Sequence, residues 1–399
     1  MPELQGRELR RGQAGRGLRL ERHVLVDPAD GVRALRDGRN ADLRSPARSP
    51  AQGSGPAAAG RAAALPGFER SAFLRRVGAL TALAALLAVA LRAEKPAPIS
   101  KLAPSDELDR LVARVAAETV EEFGKSGLTD EGISIAVIDL SPGAAAATLP
   151  SGAYRGDQSY YPCSVVKLCY LSFYESQKEA GRLSDNPELV RAVKDMITIS
   201  SNDATGFVVD SVTGTTSGPE IADAAEWAKW KARREVVNTY YRGRGYTNLN
   251  ANQKTFCEDA YGREQAFRDD GKNRNRMSAM ESARIFKEIV RGEVAGPKLT
   301  EEMLALLARG TGPEKLEDVE PEDARLAAQG LPEGSRIWAK SGDAFDFHHL
   351  VARIVLPNGR EFIVAVFTKG VKTVPEIIPR VYEKVAEYFA TRQTVDGRR

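Results

Sequence analysis

Three short blocks carry residue types that together could run acyl transfer through a serine: Ser164-Val165-Val166-Lys167, then Ser200-Ser201-Asn202, then Lys340-Ser341-Gly342. A serine hydroxyl is a weak nucleophile and needs a base beside it. A lysine can serve once burial and a neighbouring cation draw its amine toward neutrality. Spaced three apart, Ser164 and Lys167 share one face of a helix, and a helix opening at Ser164 adds positive potential and free N–H groups there. Lys340 is the candidate for the neighbouring cation. Alone, each block is also what a helix cap, an interhelical turn or a strand end looks like. Their order and their placement on different elements argue for one site.

The elements that must position these blocks are readable. Pro162 precedes the first, and Val165, Val166, Leu168, Cys169, Leu171 and Phe173 follow as an apolar run too dense for a surface helix, so Ser164 is expected to open a buried one. The second block ends a helix that starts at Pro187, with Leu189, Val193, Met196 and Ile197 on its buried face; a new helix follows it, up to Gly214. The third sits on a strand from Arg336. The hairpin after it, 350–356 and 361–368, turns through Pro357-Asn358-Gly359-Arg360, where Asn-Gly is a strong turn signal.

With these blocks in place, the chain resembles the class A serine β-lactamases and the related penicillin-binding proteins. The resemblance runs from about residue 102 to 390 and includes Met196-Ile197-Thr198-Ile199 and Met277-Ser278-Ala279-Met280. It implies Ser164 as the acylated nucleophile, Lys167 as proton acceptor and Ser200 as the hydroxyl that passes the proton to the leaving nitrogen. It also implies Asn202 as a ligand of the substrate side chain and Lys340 and Ser341 as holders of the substrate carboxylate. The oxyanion hole would be the N–H groups of Ser164 and of Asp343, which follows Gly342. The implied activity is hydrolysis of the β-lactam amide. The alternatives are a D-alanyl-D-alanine carboxypeptidase or transpeptidase, a sensor that stays acylated, and an inactive relative.

The departures from that pattern bear on turnover. Deacylation in class A enzymes uses a glutamate on a loop, which the family writes Glu-x-x-Leu-Asn, and no such string lies between Asn202 and Met277. Glu258 is the preferred candidate and Glu264 the second, although Tyr261 and Gly262 stand where Leu and Asn would follow Glu258. Asp343 replaces a small neutral residue, and a carboxylate aimed into the site would repel an anionic substrate unless it pairs with Lys340. Where the next strand of the family commonly offers an arginine, His348 and His349 stand instead. Such a pair is expected to be structural; a histidine binding the substrate carboxylate would make activity rise below about pH 6.5.

Composition is that of a globular protein, with 57 Lys and Arg against 54 Asp and Glu and 42% hydrophobic residues. The first 72 residues, rich in Arg, Gly and Pro and lacking lysine, read as a disordered leader or an over-long gene start. Residues 73–93 read as a signal peptide or membrane anchor, since the apolar run 77–91 is short for a span and Ala88-Val89-Ala90 offers a cleavage site. The catalytic domain, 102–391, is thus expected outside the cytoplasm, as a monomer with a small-molecule substrate, and 392–399 as a disordered tail. Basic residues meet aromatics only at Tyr240-Tyr241-Arg242-Gly243-Arg244, without a nucleic-acid-binding motif. No cofactor is implied, and no metal: His23 lies in the leader and no ligand spacing occurs. The three cysteines are expected free and buried, with Cys163 to Cys257 the one pairing a folded-over loop would allow.

The expected fold is α+β. A helix at 106–123, strands at 133–140 and 145–149, helices from 164 to 290, three strands and a closing helix at 375–390 imply an antiparallel sheet built from both ends of the chain. A helical subdomain is inserted between, enlarged by an element at 227–246.

Overall fold

The structure is a computed structural model, described here for residues 95–143, 146–256, 260–270, 273–310 and 329–392. The leader, the 73–93 segment, Glu258, Cys257 and the tail after Arg392 lie outside the described residues.

Ser105 opens helix α1 (Asp106–Phe123), its hydroxyl accepting the Leu108 N–H, and three acidic residues fill the first turn, where the helix dipole favours them. Before it, β1 (Lys101–Pro104) forms one edge of the sheet; after it come β2 (Ile133–Asp139) and β3 (Thr148–Tyr154). The helical middle is α2 (Lys167–Glu179), α3 (Pro187–Thr198), α4 (Asn202–Thr213), α5 (Ala224–Arg234), α6 (Val236–Gly243), α7 (Gly262–Asp269), α8 (Ala279–Val290) and α9 (Pro297–Leu307). Strands β4 (Arg336–Ala344), β5 (Phe347–Val355) and β6 (Glu361–Lys369) and helix α10 (Ile377–Ala390) complete it.

The six strands lie in the order β1-β3-β2-β6-β5-β4. All neighbours are antiparallel except β1 with β3, which adds one parallel pairing to the expected sheet. Central β2 has no solvent face, so apolar residues occupy both of its sides. Ile133, Ile135 and Val137 join Val112, Val115, Val381 and Val385 of α1 and α10 in one core. Ala136 and Ile138 face the other, with Leu168, Leu171, Met196 and Phe286 of the helical middle.

The strand expected at 145–149 is β3, shifted later in the chain. Pro150 and Gly152 inside it conceal the pattern. Gly152 lies where α1 crosses the sheet: a Cβ there would come within 2.5 Å of the Leu108 carbonyl carbon. The element expected at 227–246 is the pair α5 and α6. At the β5–β6 turn Gly359 has φ 80°, which a β-carbon disfavours. No helix among the described residues is long and apolar enough to cross a membrane.

Candidate active site

Ser164 does not open an α-helix. It sits in a 3₁₀ turn, Cys163–Val166, and α2 begins at Lys167, whose N–H donates to the Ser164 carbonyl. The turn still carries Lys167 onto the side where α3 gives way to α4. There the Lys167 side-chain nitrogen bonds to the Ser200 carbonyl at 2.5 Å, to Ser200 Oγ at 3.1 Å and to Asn202 Oδ1 at 2.9 Å. Lys167 is wholly buried and Ser164 partly exposed.

The connection between α3 and α4 is built to aim Ser200. Ser201 caps α4 by accepting the Ala204 N–H, and its own N–H donates to Asp195 O. That leaves Ser200 in the left-handed region, φ 55°. Cys163, directly before Ser164, has φ 49°. Non-glycine residues held there cost about 1–3 kcal/mol each and collect at functional sites. One of these two is itself a block residue, and the other adjoins the serine.

The third block reaches the first through Gly342. A Cβ on it would lie 2.6 Å from the Pro162 carbonyl oxygen and 2.9 Å from the Ser164 nitrogen, so only glycine lets β4 come this close to the serine. Lys340 and Ser341, also on β4, are buried. Asp343 pairs with Lys372, Oδ1 to Nζ 3.1 Å. Its partner is thus Lys372; Lys340, three strand positions away, lies on the opposite face of β4.

His349 is structural. Its Nδ1 accepts the Thr368 N–H at 3.2 Å, its Nε2 stands 3.0 Å from the Tyr161 carbonyl, and its ring stacks on Phe367 at 4.2 Å. Nδ1 as acceptor leaves the proton on Nε2. Burial pushes its pKa down to about 3, so it cannot take up a substrate carboxylate near neutrality. Its bond to Tyr161 instead fixes the segment that leads into Ser164. His348 is 3% exposed, with its carbonyl accepting the Thr368 hydroxyl.

Glu264, the second candidate for a deacylating base, is committed elsewhere. It is fully buried, its carboxylate binding Arg234 at 2.7 and 3.1 Å and Ser217 at 2.9 Å. Cys163 and Cys169 are free and buried, and burial raises both thiol pKa values. No group of metal-ligating side chains occurs among the described residues.

Arg309 was not singled out from the sequence. It is buried, donating from its guanidinium to Ile197 O at 3.1 Å and from its backbone to Ile337 O at 2.9 Å. It therefore clamps the end of α3, three residues before Ser200, to β4, three residues before Lys340. Its distance in sequence from both blocks leaves no local signal.

The model of the Beta-lactamase enzyme family matches residues 184–389, more than half of the chain. The chain belongs to this family. The matched segment takes in Ser200, Asn202 and Lys340 to Asp343 and begins after Ser164. Among solved structures, the β-lactamase of Sphaerobacter thermophilus DSM 20745 aligns with a TM-score of 0.51 at 17% identity, covering 70% of this chain and 98% of that one. A mutant of the class A β-lactamase of the last common ancestor of Gram-negative bacteria gives 0.50 at 17%, over 70% and 100%. PBP-A gives 0.49 at 18%, over 74% and 100%. At these identities the likeness is one of fold, the β-lactamase and transpeptidase fold. No curated protein matches the chain. As a member of the β-lactamase enzyme family, the chain carries its second and third blocks on the elements expected of them, and its first on a 3₁₀ turn that leads into α2.

Proposed function

We propose that the protein is a serine hydrolase that forms an acyl-enzyme at Ser164 and hydrolyses the amide of β-lactams. The observation that carries this is the convergence of Lys167 on Ser200 and Asn202 while Gly342 lies against the Ser164 nitrogen. In this reading Lys167 takes the Ser164 proton as Oγ attacks the lactam carbonyl. The N–H groups of Ser164 and Asp343 hold the oxyanion; one such donor is worth about 3–4 kcal/mol in the transition state. Ser200, hydrogen-bonded to Lys167, passes the proton to the leaving nitrogen. Asn202 binds the substrate side chain, and Lys340 and Ser341 hold its carboxylate. Water then attacks the ester, with Glu258 as the proposed base, and the domain works outside the cytoplasm, as the apolar run at 77–91 supports.

A D-alanyl-D-alanine peptidase needs the same groups except the deacylating base, and the commitment of Glu264 to Arg234 favours keeping this second reading. Intact-mass spectrometry over time with a penicillin tests both. A hydrolase shows an adduct that forms and disappears within seconds to minutes, a peptidase or sensor a lasting one. Absence of any adduct, or an adduct that persists in Ser164→Ala, would refute acylation at this serine.

A further inference from the structure

Asp343 puts a negative charge on the strand that the proposed reaction asks to receive anions. It follows Gly342, which abuts the Ser164 nitrogen, and stands two strand positions past Ser341, on the same side of β4. Two strand residues span roughly 7 Å, within the screening length of physiological salt, about 8 Å. A substrate carboxylate held by Lys340 and Ser341, and an oxyanion held at the Asp343 N–H, would both meet the field of this carboxylate.

The counter-charge comes from the turn after β6, where Lys372 brings its Nζ to 3.1 Å from Asp343 Oδ1. The backbone on both sides of the lysine is held. The Gly370 N–H donates to the Asp346 carbonyl at 2.8 Å, which ties this turn to the one between β4 and β5, and the Val374 N–H closes it on the Val371 carbonyl at 2.9 Å. Val371 itself is buried, in the core that α1 and α10 share with the sheet. The pair is also felt beside the nucleophile. Burial chiefly raises the pKa of the Cys163 thiol, Asp343 raises it further, Lys372 lowers it and Asp346 raises it. Cys163 directly precedes Ser164, so the field of the pair reaches the segment that carries the serine. Both side chains of the pair touch solvent, and an ion pair of that kind contributes little to stability. Its effect is to be looked for in the reaction.

We infer that Lys372 is a positioning residue for acylation: by pairing with Asp343 it cancels the field of that carboxylate along β4, so that the strand accepts the anionic groups of a β-lactam and of its tetrahedral intermediate. Lys372 acts through Asp343 and not on the substrate itself. The inference rests on acylation at Ser164 and adds to it the residue that makes an aspartate tolerable beside the oxyanion hole.

The test is a rescue. Acylation rate constants are measured by stopped flow with a chromogenic cephalosporin, which carries a ring carboxylate, and the adduct at Ser164 is followed by mass spectrometry. Lys372→Ala is expected to slow acylation about tenfold, equivalent to about 1.4 kcal/mol. Lys372→Arg, which keeps the charge, should retain most of the rate. Adding Asp343→Asn to Lys372→Ala should bring the rate back close to that of the wild type, a recovery that a merely structural role of the lysine would not give. Salt at about 0.5 M should narrow the gap between Lys372→Ala and the wild type. Lys384→Ala, which breaks the ion pair with Glu118 between α10 and α1, should leave the rate unchanged. A wild-type rate in Lys372→Ala, or a double variant as slow as the single one, overturns the role of Lys372 while leaving acylation intact. Failure of the wild type to be labelled at Ser164 overturns the proposed function and this inference with it.

Discussion

The Lys167 side-chain nitrogen and the Asn202 side-chain oxygen are 2.9 Å apart, although the two residues sit on different helices. The contact joins the start of α2 to the start of α4, so the base of the first block is oriented by the amide of the second. Ser200 lies between them, bonded to the same nitrogen through both its hydroxyl and its carbonyl. A change at any of the three residues is therefore felt by the others.

Replacing Lys167 by alanine removes an amine bonded to Ser200 Oγ. General-base assistance contributes about 10²–10⁴-fold, so acylation by a chromogenic cephalosporin should slow by that factor. Asn202→Ala, which removes one of the partners of Lys167 and leaves its bonds to Ser200, should cost less. Equal losses in the two variants would show that the amide matters as much as the amine, against this assignment of the base.

Gly342→Ala forces a Cβ into the Pro162 carbonyl and the Ser164 nitrogen. Overpacking of this kind costs about 1–3 kcal/mol, and β4 has to retreat from the serine to relieve it. Thermal melts should show the loss in stability. Acylation should fall by more than the unfolded fraction explains; a variant with normal acylation would mean that the close approach is not needed.

Glu264 and Arg234 are both fully buried, and deleting one partner of such a pair strands the other charge, at about 3–5 kcal/mol. Glu264→Ala should unfold at markedly lower urea concentration. Per folded molecule, its acyl-enzyme should break down at the wild-type rate. Slower breakdown with unchanged acylation would return Glu264 to candidacy as the deacylating base.

His349 makes stability depend on pH. Burial holds it at about 3 in the fold, below the roughly 6.5 of an unfolded chain, so the unfolded state binds the proton first. Its contribution is complete above about pH 6.5 and is lost as the pH falls from there toward 3. Between pH 8 and pH 5 the loss should be about 2 kcal/mol. His349→Gln should flatten that part of the curve in urea titrations, and a variant with the wild-type slope would locate the titration elsewhere.

Much of the fold around the three blocks could be read from the chain because its parts obey local rules. Helix α1 spans the expected 106–123, Pro187 takes its place in the first turn of α3, and the Asn358-Gly359 turn joins β5 to β6. What escaped reading has no local rule. Asp343 finds Lys372 and Arg309 finds Ile197 only after the sheet has formed. Strand β1 is four residues long and pairs parallel at an edge, too short for a periodicity. Ser164 lies on a 3₁₀ turn against which β4 passes closely at Gly342, a neighbour far along the chain.

The pairing of β2 with β6 has a consequence for how the molecule is made. Ser141, just past β2, bonds to Glu361 across 220 positions of chain. The middle of the sheet therefore cannot zip until the last strand has been synthesised. Contacts this distant make folding slow, because the long loop must close before they form. A chain that stays open until its end is delivered spends longer with its β2 edge unpaired, and its assembly should depend more on chaperones than the finished fold's stability would suggest.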